Sequence, residues 1–151
     1  NLNIPPLKYE FVYKLKEYFK NDEIIINGGI KTTVDIKKHL LKVDGVMIGR
    51  AIYHSPYFLA EIEKDIFNNT NVPTRSQVVE KLIPYIHDET AKGAQLNHIM
   101  RHTVGLFHGQ NGSRSWKQYL SKNMCIRDAD IQKVNHIMDQ VKKTNPISLE
   151  S

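Results

Sequence analysis

Residues Glu23 to Asn27 read Glu-Ile-Ile-Ile-Asn and run straight into Gly28-Gly29, and residues Asp44 to Arg50 read Asp-Gly-Val-Met-Ile-Gly-Arg. These two stretches decide the fold. Each holds a short, continuous run of apolar residues, β-branched throughout in the first, too short for a helix, and each is closed by glycine. Each therefore reads as a buried strand ending in a tight turn. Between them Thr32-Thr33 offers an N-cap, and Val34 to Leu41 reads as a helix with basic residues toward its far end, where the helix dipole favours them. A strand, a helix and a second continuous apolar strand make a βαβ unit with parallel strands.

Upstream, Leu7 to Lys20 has Tyr9, Val12, Tyr13, Leu15 and Phe19 near helical spacing, with lysines and glutamates between them. Pro5-Pro6 sits just ahead, where proline is tolerated. Downstream of Ser55-Pro56, Tyr57 to Phe67 reads as a helix and Asn68 to Thr74 as a polar linker. Beyond it no strand is legible. Gln77 to Lys92, Leu96 to Phe107, Ser113 to Ser121 and Asp130 to Lys143 each read as a helix, separated by Gly93, by Gly109 to Gly112 and by Cys125 to Asp128. Four helices with short loops predict an antiparallel bundle. The expected organisation is an α/β unit over 1–67, a linker over 68–75, an all-α unit over 76–145 and a tail over 146–151.

A chain of 151 residues has room for one ordinary domain or two small ones. The longest apolar run, Ile24-Ile25-Ile26, is strand-sized, against roughly 20 residues needed to span a bilayer. Asn1 to Glu10 lacks the apolar core of a secretory signal. Cys125 is the single cysteine and can close no internal disulfide, so a reducing, cytoplasmic compartment is expected. With Asn1 where an initiator methionine would stand, the chain reads as a piece of a longer protein. A net charge of +5 and a pI near 9.2 favour an anionic partner, nucleic acid or phosphate.

In a parallel α/β fold, ligands sit beyond the carboxyl ends of the strands. Asn27-Gly28-Gly29 and Gly49-Arg50 both stand at such ends. Glycine lets the backbone turn sharply and lets its N–H groups approach an anion. Arg50 adds a permanently charged fork matched to phosphate oxygens, and the short helix after it would turn its positive end the same way. Each feature alone has a plainer reading: Gly-Gly as a mere turn, Gly-Arg as one side of a surface salt bridge. Their recurrence at consecutive strand ends points to a phosphate site. Lys37, Lys38 and Lys42 read as a solvated helix face, as do Glu61, Glu63 and Asp65.

In the helical part, Arg101, His102, His108, Arg114, Lys117, Lys122 and Arg127 concentrate basic groups, with Trp116 and Tyr119 among them. Cations bind a phosphate backbone, and flat rings can stack on exposed bases. Arg114 and Lys117 are three apart and share a helix face. Trp116 and Tyr119 read more readily as core residues of a bundle than as stacking platforms. His98 and His102 have the i, i+4 spacing of a metal-binding pair, but no cysteine or carboxylate nearby completes a set. A packing or capping role is expected, and no metal.

Four strings carry a resemblance. Pro5 to Tyr9 (PPLKY), Ile26 to Thr32 (INGGIKT) and Val43 to Ile62 (VDGVMIGRAIYHSPYFLAEI) closely resemble the end of the flavin barrel in tRNA-dihydrouridine synthases. His98 to Ser121 (HIMRHTVGLFHGQNGSRSWKQYLS) resembles the helical domain of the A-type members. The resemblance implies the last βα units of a (β/α)8 TIM barrel followed by a helical tRNA-binding domain. It implies an oxidoreductase that uses FMN, recharged by NADPH, to reduce D-loop uridines of tRNA, the U20/U20a pair. Asn27, Gly28, Gly29, Gly49 and Arg50 would hold the FMN phosphate, and His54 would lie near the flavin end or in an ordinary loop. Arg114 and Lys117 would contact tRNA, although the family usually has arginine at the second position, and lysine loses the bidentate geometry. The family's catalytic cysteine lies in earlier strands. Cys125 does not match it, and no catalytic residue is expected here. The alternatives are the end of another flavin or sugar-phosphate barrel with a helical oligomerisation domain, and a plain RNA-binding helical module.

Overall fold

The computed structural model describes residues 6–123. Helix α1 (Tyr9–Tyr18) leads to strand β1 (Ile25–Asn27), helix α2 (Thr33–Leu40), strand β2 (Gly45–Met47), and helices α3 (Arg50–His54) and α4 (Phe58–Asp65). The strands pair in parallel with Ile25 opposite Gly45, Ile26 opposite Val46 and Asn27 opposite Met47. This is the βαβ unit expected from the apolar runs.

Helix α1 is shorter at both ends than its periodicity suggests. Leu7 stays outside the helix and packs on the glycine turn after β1, where a Cβ on Gly28 would stand 3.2 Å from Leu7 Cδ2. Helix α2 starts as its sequence dictates. The Thr32 hydroxyl accepts from the Asp35 N–H at 3.1 Å, and the Asp35 carboxylate accepts from the Thr32 N–H at 3.2 Å, a capping box that satisfies two orphan donors. These hydrogen bonds, the one with the Thr32 hydroxyl foremost, hold the Asp35 carboxyl below its ordinary range. At the start of the sheet, Asp44 accepts from the Ile24 N–H at 2.9 Å and pairs with Lys16 at 2.8 Å, tying α1 to both strands.

The strands are buried on one face only. Ile26 and Val46 face a core with Ile30, Ile36, Val43 and Phe58, lined by Tyr9, Val12 and Tyr13 of α1 and by Ile52 and Ile62 of the later helices. Each large apolar side chain fully buried there contributes about 1.5–3 kcal/mol. On the opposite face Ile25 and Met47 are each 56% exposed. The period-2 alternation of strands puts them there, and helices cover only the other side.

The stretch read as one helix over Tyr57 to Phe67 begins at Phe58 and ends at Asp65. Asn68, at φ 55°, takes the left-handed conformation that asparagine tolerates, and the Asn69 N–H reaches back to the Glu63 carbonyl. Helix α5 (Arg75–Ala91) starts two residues earlier than expected because Thr74 and Gln77 form a second capping box, and it runs through Pro84. Helices α6 (Leu96–Met100) and α7 (Ser113–Asn123) pack against it around Val79, Ile86, Met100, Leu106, Phe107, Trp116 and Leu120.

The single helix expected over Leu96 to Phe107 does not form. After Met100 the chain tightens into a 3-10 turn, Arg101–Thr103, and then a run of turns. The Thr103 carbonyl accepts from the Leu106 N–H at 2.9 Å and from the Trp116 indole at 2.9 Å, and the Thr103 hydroxyl donates to the Met100 carbonyl. Gly105 lies so close to the chain at His54 that a Cβ there would overlap the His54 carbonyl. A continuous helix would lack these contacts. The last expected helix, Asp130 to Lys143, lies outside the described residues, as do Cys125 and Arg127.

Candidate phosphate site and basic surface

The register of β1 and β2 brings the two glycine turns to one edge of the sheet. Asn27 pairs with Met47, so Gly28-Gly29 and Gly49-Arg50 leave neighbouring parallel strands, roughly 4.8 Å apart, in the same direction. Asn27, Gly29, Gly49 and Arg50 are exposed at that edge and Gly28 is half-buried. Gly28 and Gly29 have φ of 113° and 68°, a region L side chains rarely adopt. Their glycine identity is also enforced from behind. A Cβ on Gly29 would stand 2.7 Å from Leu7 Cδ1 and 2.9 Å from the Tyr9 hydroxyl oxygen. Tyr9 donates to the Gly28 carbonyl at 2.6 Å, which fixes the turn to α1.

Gly49 is different. Its φ is −110° and a Cβ there would meet nothing within 4 Å. Neither backbone conformation nor the protein's own packing demands glycine, and the space beside it is open to a ligand. Arg50 follows at the start of α3 and has no carboxylate partner among the described residues. The salt-bridge reading of Gly-Arg therefore finds no counterpart there. Helix α3 has only five residues, so Arg50 and the turn backbones, more than a helix dipole, supply the positive potential.

Sequence reading missed what supports this edge. His39 of α2 is 4% exposed, its Nδ1 lies 2.8 Å from the Tyr13 hydroxyl, and the Tyr9 ring packs edge-on against it with centroids 4.6 Å apart. Half-buried Tyr9 and Tyr13 thus enclose the buried His39, and the Tyr9 hydroxyl holds the Gly28 carbonyl. Burial, with Glu10 and Tyr9 nearby, pushes the Tyr13 hydroxyl above its ordinary value. The PPLKY string held Tyr9, but no spacing rule links it to a turn nineteen residues later.

On the helical side, Arg114 and Lys117 lie exposed on the first turns of α7 and line one open depression of ≈ 570 Å³ with Gln110, Asn111, Gly112, Ser113 and Gln118. Gly109 and Gly112, at φ 74° and 84°, shape the turn ahead of them. Neither cation has an ion pair among the described residues. From Thr90 to Arg127 the sequence contains no aspartate or glutamate, so no neighbour in sequence neutralises them. Trp116 faces the other way, is 1% exposed, and packs against Phe107 at 5.1 Å; Tyr119 packs against the same core, and burial pushes its hydroxyl up. Both are core residues, the plainer of their two readings. His98 is exposed on α6, whereas His102 accepts from the Arg101 Nε at 3.2 Å and touches the Tyr53 ring.

The helical part is tied to the segment before α4 by a residue that sequence reading passed over. Arg75, the first residue of α5, lies over the Tyr57 ring and donates from Nε to the Leu106 carbonyl at 3.0 Å. Tyr57 in turn donates to the Pro73 carbonyl at 3.0 Å.

A family model for dihydrouridine synthase matches residues 1–142. The chain belongs to the dihydrouridine synthase family. It is similar to a tRNA-dihydrouridine(20/20a) synthase of Haemophilus ducreyi, 47% identical over 139 residues, 91% of this chain and 43% of that protein. It is likewise similar to proteins of that name from Vibrio parahaemolyticus, 48% identical over 124 residues (82% of this chain, 38% of that one), and from Synechocystis, 44% identical over 130 residues (85% and 39%). The chain therefore spans about two fifths of the length of these relatives.

Proposed function

We propose that the chain is the part of an A-type tRNA-dihydrouridine synthase that carries the flavin-phosphate end of a (β/α)8 barrel and the tRNA-binding helices. The observation that carries this reading is the convergence of Gly28-Gly29 and Gly49-Arg50 at one sheet edge, in a chain whose relatives bear that name. The exposed Ile25 and Met47 face fits the inner wall of a barrel, closed by further strands of the whole protein. On this reading 1–67 belongs to the barrel, 68–75 is the linker, 76–145 is the helical domain and 146–151 a tail.

The residues present fit FMN. The open space beside Gly49 and Arg50, which has no carboxylate partner among the described residues, suit a phosphate, while Leu7 and Tyr9 occupy the rear of the glycine turn. When bound, the flavin supplies the hydride that reduces the uridine C5–C6 bond, with NADPH as the source of electrons. Asn27 and the Gly28, Gly29 and Gly49 backbones position the phosphate, and Arg50 holds it with a charge-assisted fork. Arg114 and Lys117 hold the tRNA backbone, the lysine as a point charge. The substrate is the D-loop pair of uridines, U20 and U20a, in a cytoplasmic tRNA pool. Among the described residues no helix is long and apolar enough to cross a membrane, and no group of three or more histidine, cysteine, aspartate or glutamate side chains could hold a metal. The proton donor at C5 is assigned to another part of the whole protein.

The test is binding of the chain to an unmodified tRNA transcript at two salt concentrations, beside an Arg114→Ala variant. Binding should weaken with salt, and the variant should lose about 0.7–0.9 from the slope of log K against log salt, one phosphate contact. Salt-insensitive binding, or an unchanged slope in the variant, would remove tRNA from the reading.

A further inference from the structure

Tyr53 is 62% exposed although it stands between the phosphate turn and the helical part. Two imidazoles flank it, one from each side of the molecule. The His54 ring lies 6.3 Å away at an interplanar angle of 72°, and the His102 ring 6.0 Å away at 74°. Neither histidine is stacked flat on the phenol ring, and most of that ring reaches water. Arg101 extends the group by donating from Nε to His102 Nε2 at 3.2 Å, and Arg50 stands three residues before Tyr53 on α3, on the same side of that helix. Arg50, Tyr53, His54, His102 and Arg101 thus form a strip of cations and flat rings. Arg101, His102, His54 and Tyr53 are all exposed along it.

The strip is held in place by backbone. Gly105 lets the chain beyond the 3-10 turn meet the His54 carbonyl, which fixes the spacing between the two segments that supply the rings. The strip is also free of acid in sequence: no carboxylate occurs between Asp44 and Glu61, or from Thr90 to Arg127. An exposed aromatic ring among guanidinium and imidazole groups, with no carboxylate among its neighbours in sequence, matches the chemistry of an unstacked RNA base beside its phosphate. Aromatic faces bind the base irrespective of sequence, and the cations track the backbone.

We propose that Tyr53, flanked by His54 and His102 and backed by Arg101, is a stacking platform for an unpaired RNA nucleotide at the junction of the phosphate turn and the helical part. The proposal rests on the tRNA reading above and adds a contact outside the Arg114–Lys117 depression.

The experiment measures affinity of the full chain for an unmodified tRNA transcript and for inorganic polyphosphate across a salt series, with thermal melts confirming that each variant folds. Tyr53→Leu should weaken tRNA binding about fivefold or more, the lower end of what base–aromatic stacking contributes, without changing the salt slope or the affinity for polyphosphate. Tyr53→Phe should restore tRNA binding. Arg101→Ala should flatten the slope by about 0.7–0.9. If Tyr53→Leu binds tRNA like the wild type while Arg114→Ala does not, the platform is wrong and the tRNA reading stands. If Tyr53→Leu loses tRNA and polyphosphate equally, the strip is electrostatic and the platform is again wrong. If the wild type prefers tRNA to polyphosphate at no salt concentration, the tRNA reading falls and takes the platform with it.

Discussion

The Arg75 guanidinium carbon lies 3.7 Å from the centroid of the Tyr57 ring, while Arg75 Nε donates to the Leu106 carbonyl. One side chain thus joins the start of α5, the segment before α4 and the turn after the 3-10 helix. Burial lowers the guanidinium pKa from its usual value, and Tyr57 and Glu61 act against this, so the charge is retained in a half-buried site. Arg75→Ala should destabilise the chain by roughly 2 kcal/mol, the combined scale of a partly desolvated cation–π contact and a charged hydrogen bond. Arg75→Lys should recover part of this, since an ammonium keeps the charge but loses the planar fork. Denaturant unfolding of the three proteins checks both statements.

Gly105 should tolerate no side chain. Its neighbour is the His54 backbone, which cannot rotate away as a flexible side chain would. Gly105→Ala should cost on the order of 1–3 kcal/mol, the range for overpacking, and should displace α3 relative to the 3-10 turn. Thermal unfolding reads the first effect, and loss of tRNA affinity in the still-folded variant reads the second.

Tyr9→Phe keeps the ring against His39 but removes the hydrogen bond to the Gly28 carbonyl. A stability loss of about 1 kcal/mol is expected. In the full-length protein, FMN affinity should fall while tRNA affinity is unchanged, because the turn that loses its tether belongs to the phosphate edge alone. Titration of FMN fluorescence and tRNA binding on the same preparation separate the two.

Thr32→Ala should cost about 1 kcal/mol at neutral pH through loss of the α2 cap. The Asp35 carboxyl is held below the ordinary aspartate range, chiefly by the Thr32 hydroxyl. A lowered carboxylate pKa gives stability that is present above the unfolded value and lost as pH falls through the folded one. The gap between wild type and variant should therefore be constant near neutrality and narrow below pH 3.8. Melting curves of both proteins from pH 7 down to the acid limb measure it.

Much of the glycine-turn edge was legible because it is local. Asn27 to Gly29 and Gly49-Arg50 each combine a strand end with a turn, and the cap of α2 at Thr32 needs only four consecutive residues. The α7 face with Arg114 and Lys117 follows from helical spacing in the same way. What escaped was non-local: Tyr9 under the turn, His39 between two tyrosines, Arg75 over Tyr57, and Tyr53 beside His102. The helix read through Leu96 to Phe107 failed for the same cause, since its propensity was overridden by Gly105 meeting His54 and by Trp116 claiming the Thr103 carbonyl.

The sequence by itself determined the βαβ unit, the parallel strands, the glycine turns at their ends and the basic helix, because periodicity and capping act between residues close along the chain. Only the tertiary structure decided which sheet face is covered, which aromatics are core and which are exposed, and how the glycine-turn edge meets the helical part. Those outcomes depend on contacts between residues tens of positions apart, where packing and hydrogen-bond satisfaction, more than local preference, set the free energy.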